Sequence, residues 1–140
     1  MQHVQPRSTT SALVLTAVLI ALTTLFTMYT KIPVPGIRGY FNVGDVVIMT
    51  SALLLGRKYG AYIGAIGPAL ADLFLGYAVF VPITFVVKGI EGYLVGTVYN
   101  NKTTTSALVA TIVGGIVIVA GYFIAEYFVF DPGVAIASIL

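Results

Sequence analysis

The chain has 140 residues, 59% hydrophobic and only 9% charged, with a mean hydropathy of +1.02. Soluble domains carry about 25% charged residues, so a soluble globular fold is excluded and the chain is expected to lie almost wholly in lipid, as one domain over residues 1–140. The net charge of +2 is small and scattered, which argues against nucleic acid, and the absence of cysteine excludes disulfides and thiolate metal sites.

Residues 1–10 form a polar tail that holds the only histidine, His3. Residues 11–29 are the first predicted crossing, since a helix needs roughly 20 mostly apolar residues to span a bilayer. They lack a small-residue cleavage site and are too long for a signal-peptide core. Within them Ala17 and Ala21 are two small residues four apart, a spacing that serves either packing inside the bundle or the approach of a partner helix. Residues 30–44, TKIPVPGIRGYFNVG, are a long connection in which Pro33 and Pro35 favour extended backbone. They are read as an outer loop and either a candidate lid or a plain connector.

Val43–Leu55 is short but uncharged after Asp45, and crosses if its flank contributes or if neighbours bury it. Residues 59–77, 80–99 and 106–130 are the third, fourth and fifth spans. Asp131-Pro132-Gly133 is a turn signal. Residues 133–140 are apolar again but rise only about 12 Å as a helix, too little to cross. The expectation is a chain cut within a sixth span. The predicted fold is all-α: a polytopic transmembrane helix bundle with five full spans plus a partial or truncated sixth. With the N-terminus inside, the cytoplasmic segments hold Arg7, Arg57, Lys58 and Lys102, and the outer ones Lys31 and Arg38. That bias fits the positive-inside rule and a multi-pass protein of the cell membrane. Gly60, Gly64, Gly67 and Ala71 lie on or near one face of the third span, Gly89, Gly92 and Gly96 do likewise in the fourth, and Ala110, Gly114, Ala120, Gly121 and Ala125 line the fifth, a spacing that allows close helix packing.

The fourth span holds Lys88 and Glu91 in its interior. Charges at such depth cost about 2.5–3.5 kcal/mol each on insertion scales and are tolerated where they meet a partner, a ligand or a polar cavity. Entering from outside, the span places Lys88 about 12 Å and Glu91 about 16 Å down. Asn42, Asp45, Asp72 and Glu126 reach the same outer half, and Tyr40, Tyr77 and Tyr122 can wall it. Lys88 and Glu91, three apart, also have a plainer use: they neutralise each other, with Asp72 capping Lys88 from the next helix. One lysine, several carboxylates and aromatic walls suit a small polar solute that contains a ring.

Two blocks of residues carry a resemblance. One is Gly39-Tyr40-Phe41-Asn42-Val43-Gly44-Asp45 followed by Leu53-Leu54-Leu55-Gly56-Arg57-Lys58-Tyr59-Gly60-Ala61. The other runs from Gly64-Ala65-Ile66-Gly67 through Ala71-Asp72-Leu73 and Gly76-Tyr77 to Lys88-Gly89-Ile90-Glu91-Gly92. Over residues 11–135 the chain resembles the substrate-binding S component of energy-coupling factor (ECF) vitamin transporters, and most nearly the riboflavin-type branch, which includes predicted carriers of pyridoxine and of the thiamin pyrimidine. The resemblance implies six helices, an inside N-terminus and a solute site open to the outside under the first loop. It implies that Ala17 and Ala21 dock a membrane T component, and that two cytoplasmic ATPases use ATP to drive uptake while this chain binds no cofactor. The S component is then expected to tip over in the membrane to release its vitamin. The candidate site residues, read from charge and depth, are Tyr40, Asn42, Asp45, Asp72, Tyr77, Lys88, Glu91, Tyr122 and Glu126.

The competing class is a small self-contained dimeric channel or proton-coupled exporter, whose charges would line a pore or carry protons. An enzyme is not expected, because no histidine cluster and no nucleophile with an adjacent base is present. No phosphate-binding Gly-x4-Gly-Lys-[Ser/Thr] loop occurs, so any ATP belongs to a partner. The sequence does not name the vitamin.

Overall fold

The structure is a computed structural model that describes residues 8–33, 40–100 and 102–129. Among these, five helices run in chain order: α1 (Thr9–Tyr29), α2 (Val43–Leu55), α3 (Arg57–Phe74), α4 (Val81–Val98) and α5 (Thr104–Val129). Their bounds lie within three residues of the expected spans at each end. The helical class holds, with one addition. The connection after α1 contains two short antiparallel strands, β1 (Lys31–Pro33) and β2 (Tyr40–Asn42), in the register Lys31 to Asn42 and Pro33 to Tyr40. Pro33, the last residue of β1, favours extended backbone, and at three residues per strand the ladder needs few N–H donors. The middle of the expected lid, residues 34–39, lies outside the described residues, as does the expected sixth segment.

By length and composition three described helices are able to cross a membrane: α1, α4 and α5. α2 has 13 residues, which rise about 20 Å against a hydrocarbon core of about 30 Å. α3 is long enough but carries Arg57, Lys58 and Asp72.

The helix junctions follow local chemistry. Ser8 caps α1 by accepting from the Ser11 N–H, and Asn42 caps α2 by accepting from the Gly44 N–H at 2.8 Å. The Val43 N–H donates to Thr30 Oγ1 at 3.3 Å, tying the end of α1 to the start of α2. Gly56, at φ +95°, makes the corner between α2 and α3, a backbone conformation that only glycine adopts freely.

α3 and α4 form the tightest pair, packed antiparallel. A Cβ on Gly92 would collide with the Gly60 carbonyl oxygen, and one on Gly64 with the Lys88 carbonyl. These glycines let the two backbones touch, and that contact sets where Lys88 stands relative to α3. α1 leans on α3 through Thr24, whose hydroxyl donates to the Gly67 carbonyl at 2.9 Å. That bond sits one residue before Pro68, which interrupts the α3 ladder. Thr23 and Thr27 are buried beside it, so the inward face of α1 is polar and its outward face apolar. Far from the Lys88 end, Ala52, Val95, Tyr99 and Ala110 close an apolar core between α2, α4, α5 and the residue after α4.

Candidate functional site

Four helices contribute to one polar cluster. α4 presents Thr84, Lys88 and Glu91 along a single buried stripe at helical spacing. Lys88 pairs with Asp45 from the first turn of α2 and lies 3.3 Å from Glu91 Oε2. Its ammonium also stands 5.8 Å from the centroid of the Tyr122 ring on α5, within cation–π range. Thr84 donates to Asp72 Oδ2 of α3 at 2.5 Å, and its oxygen lies 3.0 Å from the Tyr122 hydroxyl. Tyr122 therefore joins two groups: Lys88 with Asp45 and Glu91, and Thr84 with Asp72.

The cluster is well buried. Glu91 has no exposed surface, and Lys88 and Asp72 are about as enclosed at 5% and 6%. The cluster brings one lysine and three carboxyl groups together inside an apolar bundle. Neither Glu91 oxygen accepts a hydrogen bond among the described residues, although the Lys88 ammonium is close enough to neutralise it. The arrangement can bind and orient a polar molecule, and it holds no activated nucleophile.

The plainer expectation for Lys88 is half met. Glu91 does pair with it, but the cap from a neighbouring helix is Asp45, not Asp72, which is engaged by Thr84. Of the expected site residues, the structure brings together Asp45, Asp72, Lys88, Glu91 and Tyr122. Glu126 sits one turn beyond Tyr122, half-buried, with Oε2 enclosed and accepting no hydrogen bond among the described residues. Asn42 is buried and its side chain caps α2. Tyr77 lies in the exposed turn between α3 and α4, where its N–H donates to the Asp72 carbonyl at 2.8 Å. The backbone of Tyr40 pairs in β2, and its side chain lies outside the described part.

Thr84 was not among the expected site residues, although its place four residues before Lys88 on the same helix face marks it. The buried threonines of α1 were missed as well. They look like ordinary polar breaks in an apolar span until α3 is packed against them.

Ala17 and Ala21 are both exposed, in an apolar strip with Leu13, Val14, Val18 and Leu25.

Comparison with known proteins gives a consistent picture. A family described as ECF-type riboflavin transporter, S component, matches residues 7–139. A protein of Pyrococcus woesei, described as an uncharacterized protein in gap 3'region, is 43% identical over 118 residues, covering 82% of this chain and 78% of that protein. The thiamine precursor transporter HmpT of Lactococcus lactis subsp. cremoris (strain MG1363) is 32% identical over 129 residues, covering 91% of this chain and 74% of that one.

Proposed function

The chain belongs to the ECF-type riboflavin transporter S component family, and on that premise we propose that it captures a small vitamin or vitamin precursor from outside the cell and is the specificity subunit of an ATP-driven importer. The family is one of membrane transporter subunits, not of enzymes. The solute is of the riboflavin, pyridoxine or thiamin-pyrimidine type. The observation that carries the reading is the cluster centred on Lys88, drawn from α2, α3, α4 and α5. Buried charge of this kind is expensive in a bilayer and is commonly associated with substrate paths.

Orientation and coupling belong to the same proposal. The N-terminus is inside, all five helices cross, and α2 is carried through the bilayer by the neighbours that bury it. The cluster then opens toward the outside beneath the connection between α1 and α2. The strip of Ala17 and Ala21 docks a T component, and two ATPases on the inner side supply energy. Support for the docking role is the exposure of both alanines in an otherwise apolar strip.

The test is mass spectrometry of small molecules that stay with the purified protein, followed by uptake of the retained compound in cells with and without the partner subunits. Retention of a vitamin-sized heterocycle and partner-dependent uptake are expected. Uptake by this chain alone in liposomes would overturn the reading.

A further inference from the structure

Charge is divided sharply along the bundle. Among the described residues every carboxylate, Asp45, Asp72, Glu91 and Glu126, belongs to the Lys88 end. The opposite end carries Arg57 and Lys58 at the start of α3 and Lys102 in the connection from α4 to α5, all three exposed. No carboxylate pairs with any of them among the described residues.

The fold holds Arg57 in a fixed place. Gly56 turns the corner before it at φ +95°, and a Cβ on Gly96 of α4 would lie 2.5 Å from both Cα and N of Arg57. The Arg57 backbone is thus pressed against α4, and its guanidinium stands over the Tyr93 ring, 5.6 Å from the centroid, within cation–π range. A ring offers no lone pair, so the guanidinium N–H donors still need acceptors, and their planar fork matches a phosphate. Tyr93 also begins an apolar stripe. Ile90 and Val86 stand three and seven residues before it on the same face of α4, and all three side chains are exposed. From Tyr93 to Val86 the stripe rises about 10 Å away from Arg57. A cation with unused donors at the end of an exposed apolar track has the shape of a phospholipid's complement: headgroup at one end, acyl chain along the other. An acidic protein surface in water would meet the cations but leave the track uncovered.

We infer that this face of α3 and α4 binds an anionic phospholipid, with its phosphodiester on the Arg57 guanidinium and an acyl chain along Tyr93, Ile90 and Val86. Lys58 and Lys102 add attraction at the headgroup. Such a site requires only that the chain lies in a bilayer, and it is independent of solute capture.

The experiment mixes the purified full-length chain, in a neutral detergent, with equal amounts of dioleoylphosphatidylglycerol and dioleoylphosphatidylcholine. Retained lipid is counted by native mass spectrometry. Phosphatidylglycerol is expected to be retained about tenfold or more in preference to phosphatidylcholine. Arg57→Gln should remove most of that preference. Tyr93→Leu changes no charge but frees the guanidinium from the ring, and should lower the preference about threefold. Lys102→Gln removes the same charge as Arg57→Gln and should cost clearly less. Equal losses in Arg57→Gln and Lys102→Gln would mean diffuse attraction and overturn the site, as would an unchanged preference in Tyr93→Leu or no preference in the parent chain. Glycerophosphate, the headgroup without its chains, should displace no lipid, and displacement at matched concentration would overturn the site in favour of a soluble anion. An intact preference in Arg57→Gln, together with lost co-purification with partner ATPases, would assign the patch to a protein contact and overturn it too. If Arg57→Gln does not fold, the contrast between Tyr93→Leu and Lys102→Gln decides.

Discussion

Lys88 on α4 pairs with Asp45 in the first turn of α2, 43 positions earlier in the chain. The contact crosses between helices, so it locks the start of α2 to the buried face of α4. Removing one partner from a buried ion pair typically costs about 3–5 kcal/mol, because the other charge is left uncompensated. Asp45 keeps about a fifth of its side chain exposed, and Glu91 at 3.3 Å still compensates Lys88 once Asp45 is gone, so the loss falls below that range. Asp45→Ala is therefore expected to lower the thermal unfolding midpoint of the purified protein clearly, and Asp45→Asn by less. Unchanged midpoints for both would mean that the pair contributes nothing to the fold.

Close packing of α3 on α4 gives a sharper contrast. Gly92 faces the Gly60 carbonyl, whereas a Cβ on Gly115 would meet nothing within 4 Å. Overpacking a tight contact costs about 1–3 kcal/mol or more. Gly92→Val should destabilise the protein strongly or prevent its folding, while Gly115→Ala should be neutral. Equal melting curves for the two variants would contradict the packing described for α3 and α4.

Much of this architecture was legible in the sequence, for definite reasons. Apolar runs of membrane length are hard to read any other way, and the ends of α2 were marked by Asn42 and Gly56. Lys88 and Glu91 stood out because charges are rare at that depth. The partners were harder to foresee. Asp72 was the expected cap for Lys88, with Asp45 and Glu126 in the same outer half, and the choice between them depends on helix rotation. That rotation is set by Gly60, Gly64 and Gly92 together, not by any local pattern. Thr84 was missed because a threonine in an apolar span usually bonds back to its own helix, as Thr16, Thr23 and Thr97 do here. The strand pair was missed because the three residues of each strand carry no alternating pattern.

The chain has no cysteine, so single cysteines can report its orientation cleanly. Ala78 lies in the exposed turn between α3 and α4, and Lys58 is exposed at the opposite end of α3. In intact cells a membrane-impermeant thiol reagent should label Ala78→Cys and not Lys58→Cys. The reverse pattern would place the Lys88 cluster on the inner side and end the proposal of capture from outside.

Ala17 and Ala21 separate docking from packing. Both are exposed, so Ala17→Leu with Ala21→Leu should leave the unfolding midpoint and solute binding of the isolated subunit unchanged. Small residues four apart permit close helix approach, and leucine removes it. The double variant should therefore fail to co-purify with the T component and should lose uptake in cells. Normal uptake would rule out this strip as the docking surface.

The central claim is that solute is held at the cluster around Lys88. Its most direct measurement is the affinity of the purified protein for the compound it retains, compared with that of Lys88→Met combined with Glu91→Gln. The exchange removes the fully buried Glu91 charge together with Lys88 and leaves only Asp45, whose side chain is 22% exposed, without its cation, so it costs less stability than removing Lys88 alone. The account predicts a folded double variant whose affinity falls about 100-fold or more, in line with losses on truncating a buried, hydrogen-bonded charge in a binding site. A folded double variant that binds the compound as tightly as the parent chain would contradict it.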